Sequence, residues 1–450
     1  MKSHEYHLIS DCLAKAVRCA GLAISLFMLA ACVDKEVRLS GDREDVLFGL
    51  RSLTIDEQAA AELSGLGKAV VNTSFGHSGV NSAHDGGHLS LDLPLKRLWK
   101  TKIENTNSDI VMLANPVVVN SKVFALGADA LLSIFDLETG KVLAIEQIDD
   151  PQAGLFPGVA GGLAANEKIL VAHAGRKMLT AIDSITNQVL WSVEHSEPLA
   201  GGPTLIGKEG VIVTDIDGST LAFRLNDGAL VWQVSGVPAD TVVLGSGSPA
   251  VREGTVIIAG IGGEVSANAV ADGRLIWADS LATLAPRTPL EELGDILADP
   301  VHNGHAVYVV SQSGILGAFD PLTGIQLWEK PISSLQMPWV AGESLFVLTT
   351  SSHLVALRKS DGAVRWYTGL PGSAELGAIS ATDVTRYFGP IVAAGKVHVL
   401  ATSGRLYSLN ADTGVIIDQK SLSGAVNVAP IIAQNTLIVL TRSGRLMAWR

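Results

Sequence analysis

One short unit recurs along this chain, and its recurrence constrains the fold more than any other feature. In the clearest copy, Gly314 to Trp328, an apolar run through Leu316, Ala318 and Phe319 ends in the corner Asp320-Pro321-Leu322-Thr323-Gly324, and a second apolar run closes on Trp328. Two short strands joined by a tight turn fit that pattern. The corner returns at Gly140, Asn187, Gly228, Gly273, Gly362 and Gly414, so that successive corners are 47, 41, 45, 51, 38 and 52 residues apart. Four residues past the corner stands Trp191, Trp232, Trp277, Trp328 or Trp366, with Ala144 and Asp418 as the two exceptions. Gly or Asn supplies the positive φ of the turn, and the Trp lies on a fixed face of the next strand. The spacing leaves room for about four short strands per repeat.

A hairpin precedes each corner, and an eighth, from Leu437 to Arg450, ends the chain before a corner or fourth strand can follow. Upstream of the first full repeat lies a lone strand with the same Leu98-Trp99 signature, 45 residues before Ala144. It is expected to complete the last sheet. The fold that follows is all-β: an eight-bladed β-propeller of four-stranded antiparallel blades over residues 94–450, its ring closed by the strand at Trp99. Closure removes the exposed edges of a linear array, and a ring of blades escapes the size limit of a single core because each blade packs only on its neighbours.

The flanking segments read differently. Lys15 and Arg18 precede an apolar run from Ala20 to Ala31, too short to span a bilayer and suited to a signal peptide over residues 1–31. It ends in Leu29-Ala30-Ala31-Cys32, which resembles a bacterial lipobox; the resemblance implies lipidation of Cys32 at the mature N-terminus. Cys12 and Cys19 then leave with the signal, and no thiol remains for a disulfide. Val33 and Asp34 after the Cys resemble lipoproteins sorted to the outer membrane. Residues 32–93 read as a tether, with a short helix over Asp56 to Leu63 capped by Thr54. Within it His77, His84, Asp85 and His88 cluster, but Gly86 and Gly87 break the helix that would bring His84 and His88 together. A loop packed on the propeller is expected there rather than a metal site.

Chemistry-bearing motifs are sparse. A formal charge of −12 argues against nucleic acid as a partner. One Trp at the same place in most blades reads as inter-blade packing, not a cofactor cage. Gly260 to Gly263 reads as a hairpin turn, no Gly-Lys-Ser/Thr follows any glycine run, and there is no nucleophile elbow, no His-Glu-x-x-His and no paired carboxylates in a shared blade context. No catalytic residue, cofactor ligand or metal ligand is assigned. The longest departures from the blade pattern are Val242 to Pro249 and Ala285 to Asp299, which are expected to lie near one another on one ring face.

The pattern Asp-x-x-Thr-Gly-x-x-x-Trp resembles the eight-bladed propellers of pyrroloquinoline quinone dehydrogenases. Together with the lipobox it resembles the BamB family, lipoprotein subunits of the outer-membrane β-barrel assembly machinery, over Cys32 and nearly all of residues 94–450. Quinone dehydrogenases hold their cofactor with an adjacent Cys pair, and no Cys follows Cys32 here. The resemblance implies a non-catalytic, lipid-anchored scaffold on the periplasmic face of the outer membrane. It also implies docking on periplasmic domains of the barrel-forming subunit BamA, alongside other assembly subunits, with unfolded outer-membrane proteins as clients. Two loops carry the family's docking residues, and the matching positions are Val243 and Leu244 in the first and Leu293, Asp295 and Leu297 in the second. The family's Arg in the first loop and second Asp in the second are absent, replaced by Leu244 and Leu297. The alternative reading is a periplasmic propeller that binds a small ligand or acts as a quinoprotein oxidoreductase.

Overall fold

The computed structural model describes residues 53–103, 114–127, 129–150, 159–236, 246–281, 296–374, 385–422 and 424–450. Its 32 strands, numbered in chain order from β1 (Arg97–Lys102) to β32 (Arg445–Trp449), form eight four-stranded antiparallel sheets. Seven sheets take four consecutive strands each. The eighth has the order β1-β32-β31-β30, where β30 is Ile431–Ala433 and β31 is Thr436–Leu440. The N-terminal strand therefore closes the ring as the repeat pattern required. Lys96 N–H donates to Arg450 O at 2.6 Å and Arg450 N–H returns the bond at 2.9 Å. Numbering the blades from residue 117, the eighth is thus shared by both ends of the described chain.

Burial follows position in the blade. A middle strand such as β11 (Gly210–Asp215) is buried along its whole length, while an outer strand such as β13 (Leu230–Val234) exposes residues on either side of its Trp. Strands covered on both faces read as continuous apolar runs, and the core is a series of inter-blade clusters.

The recurring corner has a common bonding scheme. Asp320 Oδ1 accepts from the Thr323 N–H at 2.8 Å and its hydroxyl at 2.9 Å; Asp136 does the same with Thr139, and Asn410 with Thr413. These bonds hold the Asp320 and Asp136 carboxyls below the usual range. Each Trp reaches across the seam to the following blade. Trp99, Trp191, Trp232, Trp277, Trp328 and Trp366 donate their indole N–H to the backbone oxygens of Leu137, Leu225, Val270, Pro321, Lys359 and Ala411, each one residue past the start of a corner. The corner glycine lies under the ring: a Cβ on Gly324 would sit 2.6 Å from Trp277. The exception explains itself. Asn187 is the corner without Gly, and the blade facing it carries Ala144 instead of Trp; Lys122 Nζ takes the indole's place, donating to Ser184 O, Ile185 O and Asn187 Oδ1.

Residues 53–96 are not the loose tether expected. They run around one face of the ring and bond to blade after blade. The segment begins on the sixth blade, where Asp56 N–H donates to Val364 O and the buried Arg365 guanidinium donates to the carbonyls of Ala59, Glu62 and Leu63. Helix α1 (Glu57–Ala61) lies here, capped by Asp56, whose carboxylate accepts the Ala59 N–H at 2.7 Å. The cap expected at Thr54 is therefore corrected to Asp56, one residue before the helix, where an N-cap side chain can reach the third helical N–H. The strap then meets the seventh blade through Ser64 and Asp412, the eighth through Asn72 and Ile432, the first through Phe75 and Val118, and the second through Gly76 and Ala165. His77 and Leu205, Ser82 and Val251, and Ala83 and His302 continue the series through the third, fourth and fifth blades. After a full circuit, Gly87 reaches Trp339 of the sixth blade and Leu89 pairs with Ala393 of the seventh. All these partners lie on innermost strands, Trp339 at the start of its own, apart from the first contacts at Val364, Arg365 and Asp412.

Candidate partner-docking face

In an antiparallel four-stranded blade, the turns after the first and third strands share one face of the ring. The turn after the second strand and the connector into the next blade share the other. The strap covers the first of these faces; the described ends of the two candidate loops, both connectors, belong to the second. Val243, Leu244, Leu293 and Asp295 lie outside the described residues. The described ends of the same loops, residues 246–249 and 296–300, do come together. Asp299 joins them: its Oδ1 accepts the Ser248 N–H at 2.6 Å, and its Oδ2 accepts the hydroxyl of Ser78 from the strap. Ser248 Oγ in turn accepts the Gly202 N–H at 2.8 Å, tying in the third blade.

Leu297 is half-buried and sits on the wall of a central cavity of about 310 Å³. It is placed at the inner end of its loop, where it touches the channel. Phe75 and Ser78 of the strap, Asp299, Met337 and Trp339 line the same cavity. Trp339 is fixed by its indole N–H, which donates to Gly87 O at 2.8 Å, and Gly86 has no room for a Cβ against that ring. The strap thus supplies part of the channel wall, and the connectors supply much of the rest.

The histidines of the strap serve in packing and in hydrogen bonds to backbone groups. His77 Nε2 accepts the Leu205 N–H at 3.1 Å, His84 Nδ1 donates to Pro300 O at 2.8 Å, and His88 bridges Gly67 O and the Gly395 N–H. Three imidazoles serve three different blades, as expected of a packed loop, and among the described residues no group of three His, Cys, Asp or Glu could hold a metal ion. Burial, together with the neighbouring His84, pushes the His77 pKa down to about 3, and burial alone takes His173 beside the channel to about 4. Both stay neutral at physiological pH.

Sequence reasoning placed weight on Asp295 and passed over Asp299. The signal was present: Asp299-Pro300 and Ser248-Pro249 stand at equivalent places just before innermost strands, where a Pro fixes the entry and a short polar side chain can bond a neighbour's backbone.

Comparison with known proteins agrees with this architecture. A family model described as outer membrane protein assembly factor BamB matches residues 96–368. The outer membrane protein assembly factor BamB of Yersinia pestis is 24% identical over 363 residues, covering 78% of this chain and 88% of its own. That of Burkholderia pseudomallei is 28% identical over 342 residues, covering 75% and 84%. Among solved structures, BamB from Moraxella catarrhalis superposes with a TM-score of 0.67 at 21% identity, covering 79% of this chain and 99% of that one. A quinohemoprotein alcohol dehydrogenase from Comamonas testosteroni gives 0.64 at 13% identity, over 87% and 83%, a likeness of fold.

Proposed function

The chain belongs to the outer membrane protein assembly factor BamB family, and from that premise we propose that it is a non-catalytic scaffold of outer-membrane β-barrel assembly. It is anchored through lipidated Cys32 to the periplasmic face of the outer membrane and docks on periplasmic domains of a BamA-like barrel protein through its connector face. Unfolded outer-membrane proteins are its clients within that assembly. The observation that carries the reading is the family match over residues 96–368, which spans six of the eight blades and both connectors that hold the candidate loops. Val243, Leu244, Leu293, Asp295 and Leu297 are the proposed contacts. Without the family's Arg and second Asp, this interface rests on apolar anchors, and rim charges contribute little to such contacts.

The test is affinity purification from detergent-solubilised membranes with the chain tagged at Arg450. Co-purification of a BamA-like protein, lost on Leu244→Asp while the propeller stays folded, supports docking. Recovery of the propeller alone contradicts it. A second reading, a small polar ligand in the central cavity, is favoured by Asn115, which lines that cavity and whose buried Oδ1 has no hydrogen-bond partner. A ligand retained through purification and identified by mass spectrometry would turn the account that way.

A further inference from the structure

The seam between the seventh and eighth blades is built unlike the six that an indole closes. Where the seventh blade would present its Trp it carries Asp418, and the eighth blade has no corner to receive one, because its fourth strand is β1. Cations line the seam instead. Lys100 stands opposite Met447 and Lys102 opposite Arg445 in the β1–β32 register, so all four share one face. Arg97 lies 6.0 Å from the centroid of the Trp449 ring, and Lys420 Nζ 5.7 Å from it. Between them lies a cavity of about 240 Å³, lined by Arg97, Lys100, Arg445 and Met447 and, from the seventh blade, by Ser421 and Leu422.

Among the described residues, Arg97, Lys100, Lys102 and Arg445 form no ion pair with a carboxylate. The ion pairs present fall elsewhere, at Arg224, Arg252, Arg358, Lys359, Arg365 and Arg450. In a chain of formal charge −12 this is an uncompensated cluster, and like charges directly opposite one another, as Lys102 and Arg445 are, destabilise a sheet. An arrangement of that kind is favourable when an anion occupies it.

We propose that this seam is a binding site for a phosphate group. Phosphate carries about −1.5 to −2 charges and three strong acceptor oxygens. That matches a cavity lined by three cationic donors of which two are arginines, whose planar forks bind phosphate bidentately. A single carboxylate would neutralise less of the cluster, and an extended acidic peptide exceeds the cavity. Leu422 and Met447 give apolar contact to whatever carbon the phosphate is esterified to. The site lies at the seam of the seventh and eighth blades, whereas the candidate docking loops leave the third and fourth blades.

The experiment uses the full chain in zwitterionic detergent micelles, in phosphate-free buffer, and follows the melting temperature. Sodium pyrophosphate is titrated in one arm, and phosphatidic acid, a phosphomonoester, is doped into the micelles in the other. A rise with pyrophosphate marks recognition of the phosphate itself, and a rise with the lipid alone marks a headgroup presented by a membrane. Either supports the site, provided Lys100→Gln/Arg445→Gln weakens the response at least tenfold. No rise in either arm, an equal rise with sodium acetate at matched ionic strength, or an undiminished response in the double variant overturns it. Arg445→Gln alone guards against a folding artefact. With no phosphate present it is expected to melt at or above the parent temperature, since it removes repulsion, and a lower melting temperature would make Arg445 a structural residue and overturn the proposal.

Discussion

The two faces of the ring are built on opposite principles. On the strapped face, residues 53–96 bond to the backbone of one blade after another, so that side chains of low complexity such as Gly76, Ser82 and Ala83 suffice. On the connector face, contacts run through side chains, Asp299 above all, and the loops differ in length from blade to blade. Backbone bonds, helped by side chains such as Asn72, His77 and Arg365, fix the strapped face, while the connector face is freer to vary in sequence. Under the proposed function this is a division of labour, in which one face holds the ring and the other meets partners.

The contrast can be broken most severely by deleting residues 53–93. That removes bonding partners from every innermost strand, and the chain is expected to lose its cooperative melt and its β-sheet circular dichroism; a near-normal melt would show the strap to be dispensable. Next in size is Trp339→Ala. The ring is 2% exposed and clasped by Gly87, so a loss of about 3–5 kcal/mol is expected in a denaturant titration. Asp299→Ala, which strips partners from the Ser248 N–H and the Ser78 hydroxyl, should cost about 1–3 kcal/mol by the same measurement. Leu244→Asp, in the segment that joins the third and fourth blades, is expected to leave the denaturation midpoint unchanged.

The smallest effect is a dependence on pH. His77 is held down to about 3 and His173, His302 and His398 to about 4, chiefly by burial, against an ordinary 6.5. Unfolded imidazoles take up protons below 6.5 and these folded ones do not until about 4 or lower. Unfolding therefore takes up protons in that window, and these groups lower stability as pH falls from 6.5 towards 4. Asp85 and Asp215, whose carboxyls burial raises, act with the opposite sign. His173→Gln should flatten the slope by up to about 1.4 kcal/mol per pH unit. An unchanged slope in calorimetric melts between pH 5 and 6.5 would mean that His173 is already charged in the fold.

The ring was legible in the sequence because each blade repeats one corner and one Trp, and a repeat states its own period. Even the exceptions were informative: Ala144 facing Asn187, and Asp418 facing a blade without a corner, mark the two seams where an indole is missing. The strap was not legible. Its bonds are polar, about half of them from backbone to backbone, and they are spread from blade to blade, so they impose no hydrophobic period, and Gly, Ser and Asn read equally well as a tether. Of the candidate docking residues, Leu297 comes to the channel wall because Ile296 and Ala298 on either side of it are buried, a local alternation that the helix-like spacing of Leu290 and Leu293 concealed.

The division between faces is tested most directly by cross-linking from single cysteines, since no Cys follows Cys32. Two exposed residues of the third blade report on the two sides. Asp217 lies in the turn between β11 and β12 (Thr220–Arg224), on the connector face, and Lys208 in the turn between β10 (Leu199–Ile206) and β11, on the strapped face. In native membranes, Asp217→Cys is expected to cross-link to a BamA-like protein and Lys208→Cys is not. A cross-link from Lys208→Cys with none from Asp217→Cys would place the partner on the strap and contradict the account.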